Sequence, residues 1–243
     1  MSIATLLFDA VVVVHVVAGF VGLAAFWVPV FARKGGPAHV RAGRVYVYAA
    51  YAVTLSAVTA SAARIGSYMA QGMSFAERPA LYGMAAFLGY LGVVTFANVR
   101  HGVRVLATRR APESLRTPFH LGLAWACLAS STIVVALAVT VWSDSSPILL
   151  GLSPVGFFTG FNILRYMRSR GAQPMGWLYS HLGSMLGGGI AFHTAFAVFG
   201  VQRVIALELP GPLAIVPWLL PTIIGVPAII VWTRHYRRRF SRG

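Results

Sequence analysis

The sequence predicts an all-α protein, a polytopic transmembrane bundle of seven helices with the N-terminus outside and the C-terminus in the cytoplasm. Of its 243 residues, 58% are hydrophobic and only 10% are charged, whereas soluble domains carry about a quarter charged residues. Long apolar runs recur along the whole chain, and the charges between them are unevenly distributed. These runs favour a single integral membrane domain over residues 1–243.

Seven runs reach the roughly 20 apolar residues that a helix needs to cross a bilayer. They are Thr5 to Phe31, Val45 to Ile65, Pro79 to Val99, Phe119 to Trp142, Pro147 to Leu164, Trp177 to Gln202 and Pro212 to Trp232. Pro154 and three glycines interrupt the fifth run.

Pro217, Pro221 and Pro227 predict kinks in the last run, and these kinks would act as a gate or only set the shape of the helix. The first run lacks a basic leader and a small-residue cleavage motif, so we expect a retained helix.

The loop charges orient these helices. Of the 20 Lys and Arg residues, 17 fall in alternate loops and the C-terminal tail, against Arg64, Arg78 and Arg203 on the other side. Because basic loops remain in the cytoplasm, the richer side is predicted to be cytoplasmic and to meet anionic lipid headgroups. Topology then explains the net charge of +15, and no nucleic-acid partner is expected. The arginine-rich, lysine-poor composition favours a bacterial inner membrane.

Histidines within the apolar runs are the best pointers to function, because polar side chains are costly in hydrocarbon. A helical rise of about 1.5 Å per residue places His15 and His193 each about 5 Å to the outer side of the membrane centre. The same rise places His101, His120 and His181 roughly 13 to 18 Å to the cytoplasmic side. The sequence therefore predicts an outer histidine pair and an inner histidine cluster.

Paired imidazoles at one depth on separate helices are typical of haem b ligation in membrane cytochromes. The leading hypothesis is therefore a haem-binding or redox protein. Its outer ligands would be His15 and His193, and its inner ligands His120 with His181 or His101. One helix does not cleanly supply ligands to two stacked haems, because His181 and His193 are 12 residues apart, a rotation of about 120°.

Other interpretations stay open. His101, His120 and His181 could ligate zinc with an open fourth position, although no H-x-x-x-H or HExxH spacing supports this. The chain could instead be a small-solute transporter or permease in which histidines relay protons, or a scaffold without a site. Any histidine, including His39 and His235, could be an ordinary structural residue. No enzymatic reaction is indicated.

Small residues predict close helix contacts. Gly156 and Gly160, and Gly183 and Gly187, form small-xxx-small pairs, which pack helices within one chain or between copies in an oligomer. The single cysteine, Cys127, excludes an intrachain disulfide and any metal motif built from several cysteines.

One motif occupies the first quarter of the chain. Its residues are His15, Gly19, His39, Gly43, Arg44 and Tyr46. They resemble a widespread bacterial family of predicted multi-pass membrane proteins of unknown function, with H-x-x-x-G in the first helix and H-R-x-x-G-R-x-Y after a basic turn. Here Val40 stands at the first arginine of the pattern, with Arg41 one place later. The resemblance implies important positions but no reaction. At Arg44 two interpretations stay open: a guanidinium placed at the cytoplasmic headgroups, or a ligand for an anionic group such as a haem propionate or a phosphate. Without the resemblance, Arg44 is interpreted as a topology charge.

Overall fold

The structure is a computed structural model that describes residues 3–169, 174–201 and 211–240. Within these ranges the chain is helical and contains no strand. Seven segments are long and apolar enough to cross a membrane: Ile3–Phe31, Pro37–Ala70, Pro79–Ala107, Pro118–Thr140, Ser146–Ser169, Gly176–Gly200 and Leu213–Arg238. The predicted seven-helix membrane protein is confirmed to this extent, while the side on which each terminus lies stays a prediction.

Among the described residues, eight α-helices form most of these segments. A π-helical turn at Phe196–Gly200 ends the sixth, and a 3₁₀ turn at Gly211–Ile215 leads into the seventh. The eight helices are α1 (Ile3–Phe31), α2 (Pro37–Ala70), α3 (Pro79–Ala107), α4 (Pro118–Thr140), α5 (Ser146–Leu152), α6 (Pro154–Ser169), α7 (Gly176–Ala195) and α8 (Val216–Phe240). Proline is the first residue of α2, α3, α4 and α6. The first residue of a helix needs no N–H for the helical ladder and proline presets the backbone angle, so proline marks these starts.

The fifth span is broken into α5 and α6 at Ser153, where the proline and glycines predicted an interruption. The Tyr90 hydroxyl of α3 lies 2.9 Å from the Leu152 carbonyl and 3.0 Å from the Ser153 carbonyl, to either of which it can donate. It also accepts a 2.9 Å hydrogen bond from the Gly156 N–H. One hydroxyl therefore satisfies backbone groups on both sides of the break, which water cannot do in hydrocarbon.

The chain divides into two compact units. The first comprises Met1–Phe96 and Ala126–Phe157, and the second comprises Ala97–Trp125 and Phe158–Gly243. In the first unit α1 packs along α2, and α2 approaches α3 closely enough for the Ser61 hydroxyl to donate to the Ala85 carbonyl. In the second unit α7 packs against α8. That the whole chain is one domain stays a prediction.

Much of the outward surface of α1 and α8 is apolar. Val17 and Phe20 on α1, and Ile223 and Val231 on α8, are exposed. Exposed apolar surface of this kind would be unfavourable in water but matches the hydrocarbon of a bilayer, where helices need not bury it against protein.

Candidate functional site

Two histidines of the predicted inner cluster contact each other in the second unit. The Nδ1 atom of His101 on α3 lies 2.9 Å from the Nε2 atom of His120 on α4, and the rings stack with centroids 5.2 Å apart. Both side chains are buried, with 3% and 2% of their surface exposed. At this distance one nitrogen must donate a proton and the other must accept it.

The start of α4 and a ring from α6 hold this pair in place. The Thr117 hydroxyl accepts a 3.2 Å hydrogen bond from the His120 backbone N–H, and so caps the first turn of α4. On α6, the ring of Tyr166 meets the His101 ring edge-on, with centroids 5.4 Å apart. The cap positions the backbone that carries His120, and Tyr166 packs against the ring of His101.

Ser180 of α7 engages the second nitrogen of His101. Its hydroxyl oxygen lies 2.9 Å from His101 Nε2, so Ser180, His101 and His120 form a continuous chain of hydrogen bonds. In one arrangement Ser180 donates to His101 Nε2 and His101 Nδ1–H donates to His120 Nε2. In the other, His120 Nε2–H donates to His101 Nδ1 and His101 Nε2–H donates to Ser180. Both arrangements pair one donor with one acceptor at each of the two contacts.

Close approach of α3 to α7 brings Ser180 within reach of His101. A Cβ atom at Gly102 would lie 3.0 Å from the Ser184 Cβ atom, which is tighter than ordinary packing. The neighbouring His181 donates from Nδ1 to the Gly102 carbonyl at 2.9 Å, since a carbonyl can only accept. The third predicted inner histidine therefore binds the α3 backbone through Nδ1.

Polar contacts continue one turn along α3. Asn98 precedes His101 by three residues and donates from Nδ2 to the Thr159 hydroxyl of α6 at 3.0 Å. Its amide lies beside Gly187 of α7, where a Cβ atom would be 3.8 to 3.9 Å away. We call Asn98, Thr159, His101, His120 and Ser180 the polar seam. It lies within the second unit, among helices that are otherwise mainly apolar.

The sequence patterns described above do not point to Ser180 or Thr117. A signal for Ser180 exists, because Ser180, Ser184 and Gly187 recur at spacings of four and three residues, which places them on one helix face. Thr117 directly precedes Pro118, and Thr followed by Pro is the pattern of a capped helix start.

His15, a predicted outer ligand, binds α2 within the first unit. Its Nδ1 atom lies 3.0 Å from the Val53 carbonyl and 3.0 Å from the Ser56 hydroxyl. Because the carbonyl can only accept, Nδ1 carries a proton, and in the neutral ring Nε2 carries the lone pair. A ligating histidine commonly has this arrangement, and so does an ordinary contact between helices.

His193, the other predicted outer ligand, belongs to the second unit. Its Nδ1 atom donates to the carbonyl of Gly189, one turn earlier on α7, at 2.7 Å. Its tautomer is therefore fixed in the same way as that of His15. Ligation of a haem by His15 and His193 stays a prediction.

The predicted inner metal site finds no supporting arrangement. Across residues 3–169, 174–201 and 211–240, no group of three or more His, Cys, Asp or Glu side chains could hold a metal ion. His101 and His120 face each other directly through the nitrogens that would ligate, and His181 Nδ1 binds the backbone of α3. Zinc binding by these three histidines therefore stays a prediction.

His39 of the motif and the neighbouring Lys34 together cap the end of α1. Lys34 donates from Nζ to the carbonyls of Pro29 and Val30 at 2.7 and 2.6 Å, and His39 donates from Nδ1 to the Pro29 carbonyl at 3.1 Å. The last carbonyls of a helix lack donors within the helix, and these two side chains supply them. Partial burial against α1 lowers the pKa of Lys34.

Other motif residues fasten α1 to α2. Tyr46 is 2% exposed and its ring packs at a tilt against Phe26, with centroids 5.6 Å apart. Gly43 faces Pro29, whose ring carbon a Cβ atom would meet at 3.9 Å. Arg44 is exposed, so the structure gives it no partner that decides between a topology charge and an anion ligand.

Comparison of the chain with protein-family models, with curated proteins and with solved structures gives no match. The chemistry of the polar seam therefore has to follow from its own residues.

Proposed function

We propose that this chain is a proton-coupled membrane transporter or permease for a small solute, in which Ser180, His101 and His120 relay protons. One observation carries the proposal, namely the 2.9 Å contact between His101 Nδ1 and His120 Nε2. The opposite nitrogen of His101 contacts Ser180 at the same distance. Each of these groups both donates and accepts, which is what a proton relay inside a membrane requires.

The relay works by exchanging its two hydrogen-bond arrangements. The Ser180 hydroxyl proton moves to His101 Nε2 as the His101 Nδ1 proton moves to His120 Nε2, and His120 gives its Nδ1 proton to a water molecule. A second water molecule then reprotonates the Ser180 oxygen. One proton has entered at Ser180 and one has left at His120, both rings end neutral, and both rings turn over to restore the first arrangement before the next proton. Neutral resting states suit buried imidazoles, because a lasting charge in hydrocarbon is costly.

Asn98 and Thr159 extend this path. Asn98 lies about 4.5 Å before His101 along α3, and its side chain is partly exposed. Its amide can hold a water molecule against the polar seam, since it keeps hydrogen-bonding capacity beyond its single contact with Thr159. We assign Asn98 to the end of the path that lies on the Thr159 side of His101, where solute binding and proton transfer would be coupled.

Proton flux into liposomes tests this proposal. The purified chain is reconstituted with a pH-sensitive dye inside the vesicles, and a potassium gradient with valinomycin drives proton uptake. We expect uptake by the native chain and uptake at the level of empty vesicles for His120→Gln, because an amide cannot pass on a proton. His235→Gln, at an exposed histidine of α8, is the matched control. Native uptake in His120→Gln, or none in the native chain, would contradict the relay.

Haem b ligation by His15 and His193 is the second proposal. It is supported by the orientation of both rings, whose Nδ1 atoms are held by the carbonyls of Val53 and Gly189, as ligating histidines commonly are. Bound haem would supply redox chemistry. The test is the visible absorption of the purified chain after expression with added haem. His15→Ala and His193→Ala should each abolish it, and absence of haem absorption in the native chain would end the proposal.

The bilayer is the setting of this chain, given its seven candidate spans. We further propose a bacterial inner membrane, with the basic loops and C-terminal tail in the cytoplasm. Support comes from the distribution of charge, since 17 of the 20 Lys and Arg residues would lie on that side.

A further inference from the structure

Two arginines stack on aromatic rings at the first turn of α7. The guanidinium carbon of Arg109 lies 5.5 Å from the centroid of the Trp177 ring, and that of Arg237 on α8 lies 5.1 Å from the Tyr179 ring. Trp177 and Tyr179 are two residues apart, which turns them by about 200° around the helix. The two guanidinium groups therefore flank α7. We call these four residues the arginine collar.

Stacking prepares both guanidinium groups to bind an anion. A guanidinium that lies over a ring face contacts it through its charge and not through its N–H groups, so its five donors stay available to an anion. The contact also restrains a long side chain that would otherwise lose conformational entropy on binding. Both arginines are exposed and both rings are half-buried, so the donor edges are accessible. A planar fork of this kind matches the oxygens of a phosphate.

The protein supplies almost no counter-charge on this side. The loops and tail that carry the 17 basic residues contain a single acidic residue, Glu113. Neutralisation therefore has to come from outside the chain. Trp and Tyr near helix ends favour the level of the lipid headgroups, and the anion present at that level is the phosphate of an anionic phospholipid.

We propose that the arginine collar is a binding site for anionic phospholipid headgroups, with Arg109 and Arg237 each donating to phosphate oxygens. Occupancy would tie the end of α8 and the segment after α3 to the first turn of α7, all within the second unit. This site is independent of the proton relay, because none of its residues belongs to the polar seam.

Lipid binding can be counted by native mass spectrometry of the chain in a non-ionic detergent, titrated with phosphatidylglycerol or with phosphatidylcholine. We expect preferential binding of phosphatidylglycerol, weakened about tenfold by the double variant Arg109→Gln/Arg237→Gln. The matched control is Arg64→Gln in the first unit, since Arg64 also stacks on a ring, that of Phe8, at 4.8 Å. It should bind like the native chain.

Two further arms test whether binding needs the planar fork and the lipid itself. Arg109→Lys/Arg237→Lys retains both charges but lacks the planar fork, and should also bind more weakly. Inorganic phosphate at the same concentration should not displace the lipid. Native-like binding in the double Gln or double Lys variant, equal binding of both lipids, or displacement by inorganic phosphate would overturn the assignment. Unchanged circular dichroism establishes that each variant is folded.

Discussion

The Nδ1 atom of His101 and the Nε2 atom of His120 are 2.9 Å apart, although the residues lie on different helices and 19 positions apart in the chain. The contact uses a nitrogen on each ring, and Ser180 takes the other nitrogen of His101. A ring that is bonded on both sides can pass a proton through itself. This property makes His101 the central member of the polar seam.

Removal of the Ser180 hydroxyl should interrupt proton transfer before His101. We expect Ser180→Ala to reduce dye-reported proton uptake to that of empty vesicles and to destabilise the chain by about 1–3 kcal/mol, because a buried imidazole nitrogen loses its partner. Ser180→Thr, which keeps the hydroxyl, should restore uptake. Ser184→Ala, one turn further along the same face of α7, serves as the control. Equal uptake in Ser180→Ala and Ser184→Ala would exclude Ser180 from the relay.

A side chain at position 187 should cover the Asn98 amide at one end of the proposed proton path. A Cβ atom at Gly187 would lie 3.8 to 3.9 Å from the Asn98 amide, so the γ-carbons of a valine would reach that amide and cover it. We expect Gly187→Val to lower proton uptake while leaving the melting temperature close to that of Gly183→Val. Gly183 has nothing within 4 Å of such an atom, and the two variants share one helix propensity. Uptake that is the same in both would remove Asn98 from the path.

Gly156 should be intolerant of substitution. A Cβ atom there would lie 2.7 Å from the Tyr90 ring and would overlap the Ser131 hydroxyl, next to the hydrogen bonds that close the break between α5 and α6. Gly156→Ala should therefore lower the unfolding free energy by about 1–3 kcal/mol, measured by thermal unfolding in detergent. Gly83→Ala on α3, where nothing lies within 4 Å, should be neutral or slightly stabilising. A stable Gly156→Ala variant would refute the tight contact.

Orientation can be read from cysteine labelling. Cys127 is buried, so Cys127→Ala provides a background with no reactive thiol. In intact bacterial spheroplasts a membrane-impermeant maleimide should label Glu77→Cys and should label Arg110→Cys only after permeabilisation. Both positions are exposed and lie outside the spans. The reverse pattern would place the 17-charge side outside, contrary to the positive-inside rule.

Hydropathy predicted the seven spans but not their full lengths. α2 begins at Pro37, eight residues before the predicted Val45. Its first turns are helical, but their basic residues lower the hydropathy, so a search for apolar runs misses them. Depth along a helix placed His101 and His120 in one layer. It could not show that they touch, since contact depends on helix rotation and on the close approach at Gly102.

The small-xxx-small glycine pairs likewise do not predict which helix contacts form. Gly156 and Gly183 occur in identical small-xxx-small spacing, yet the first lies against Tyr90 and the second faces open space. The spacing allows a close contact between helices but does not determine which helix packs against each glycine. Association of copies through these faces stays a prediction.

Proton uptake by single and double variants of the histidine pair tests the relay most directly. His101→Gln, His120→Gln and the double variant are compared with the native chain in the same vesicles. If one proton passes through both rings in series, each single variant should be as inactive as the double variant. Single variants that each retain part of the native uptake, with losses that add in the double variant, would show that the two histidines act separately and would contradict the relay.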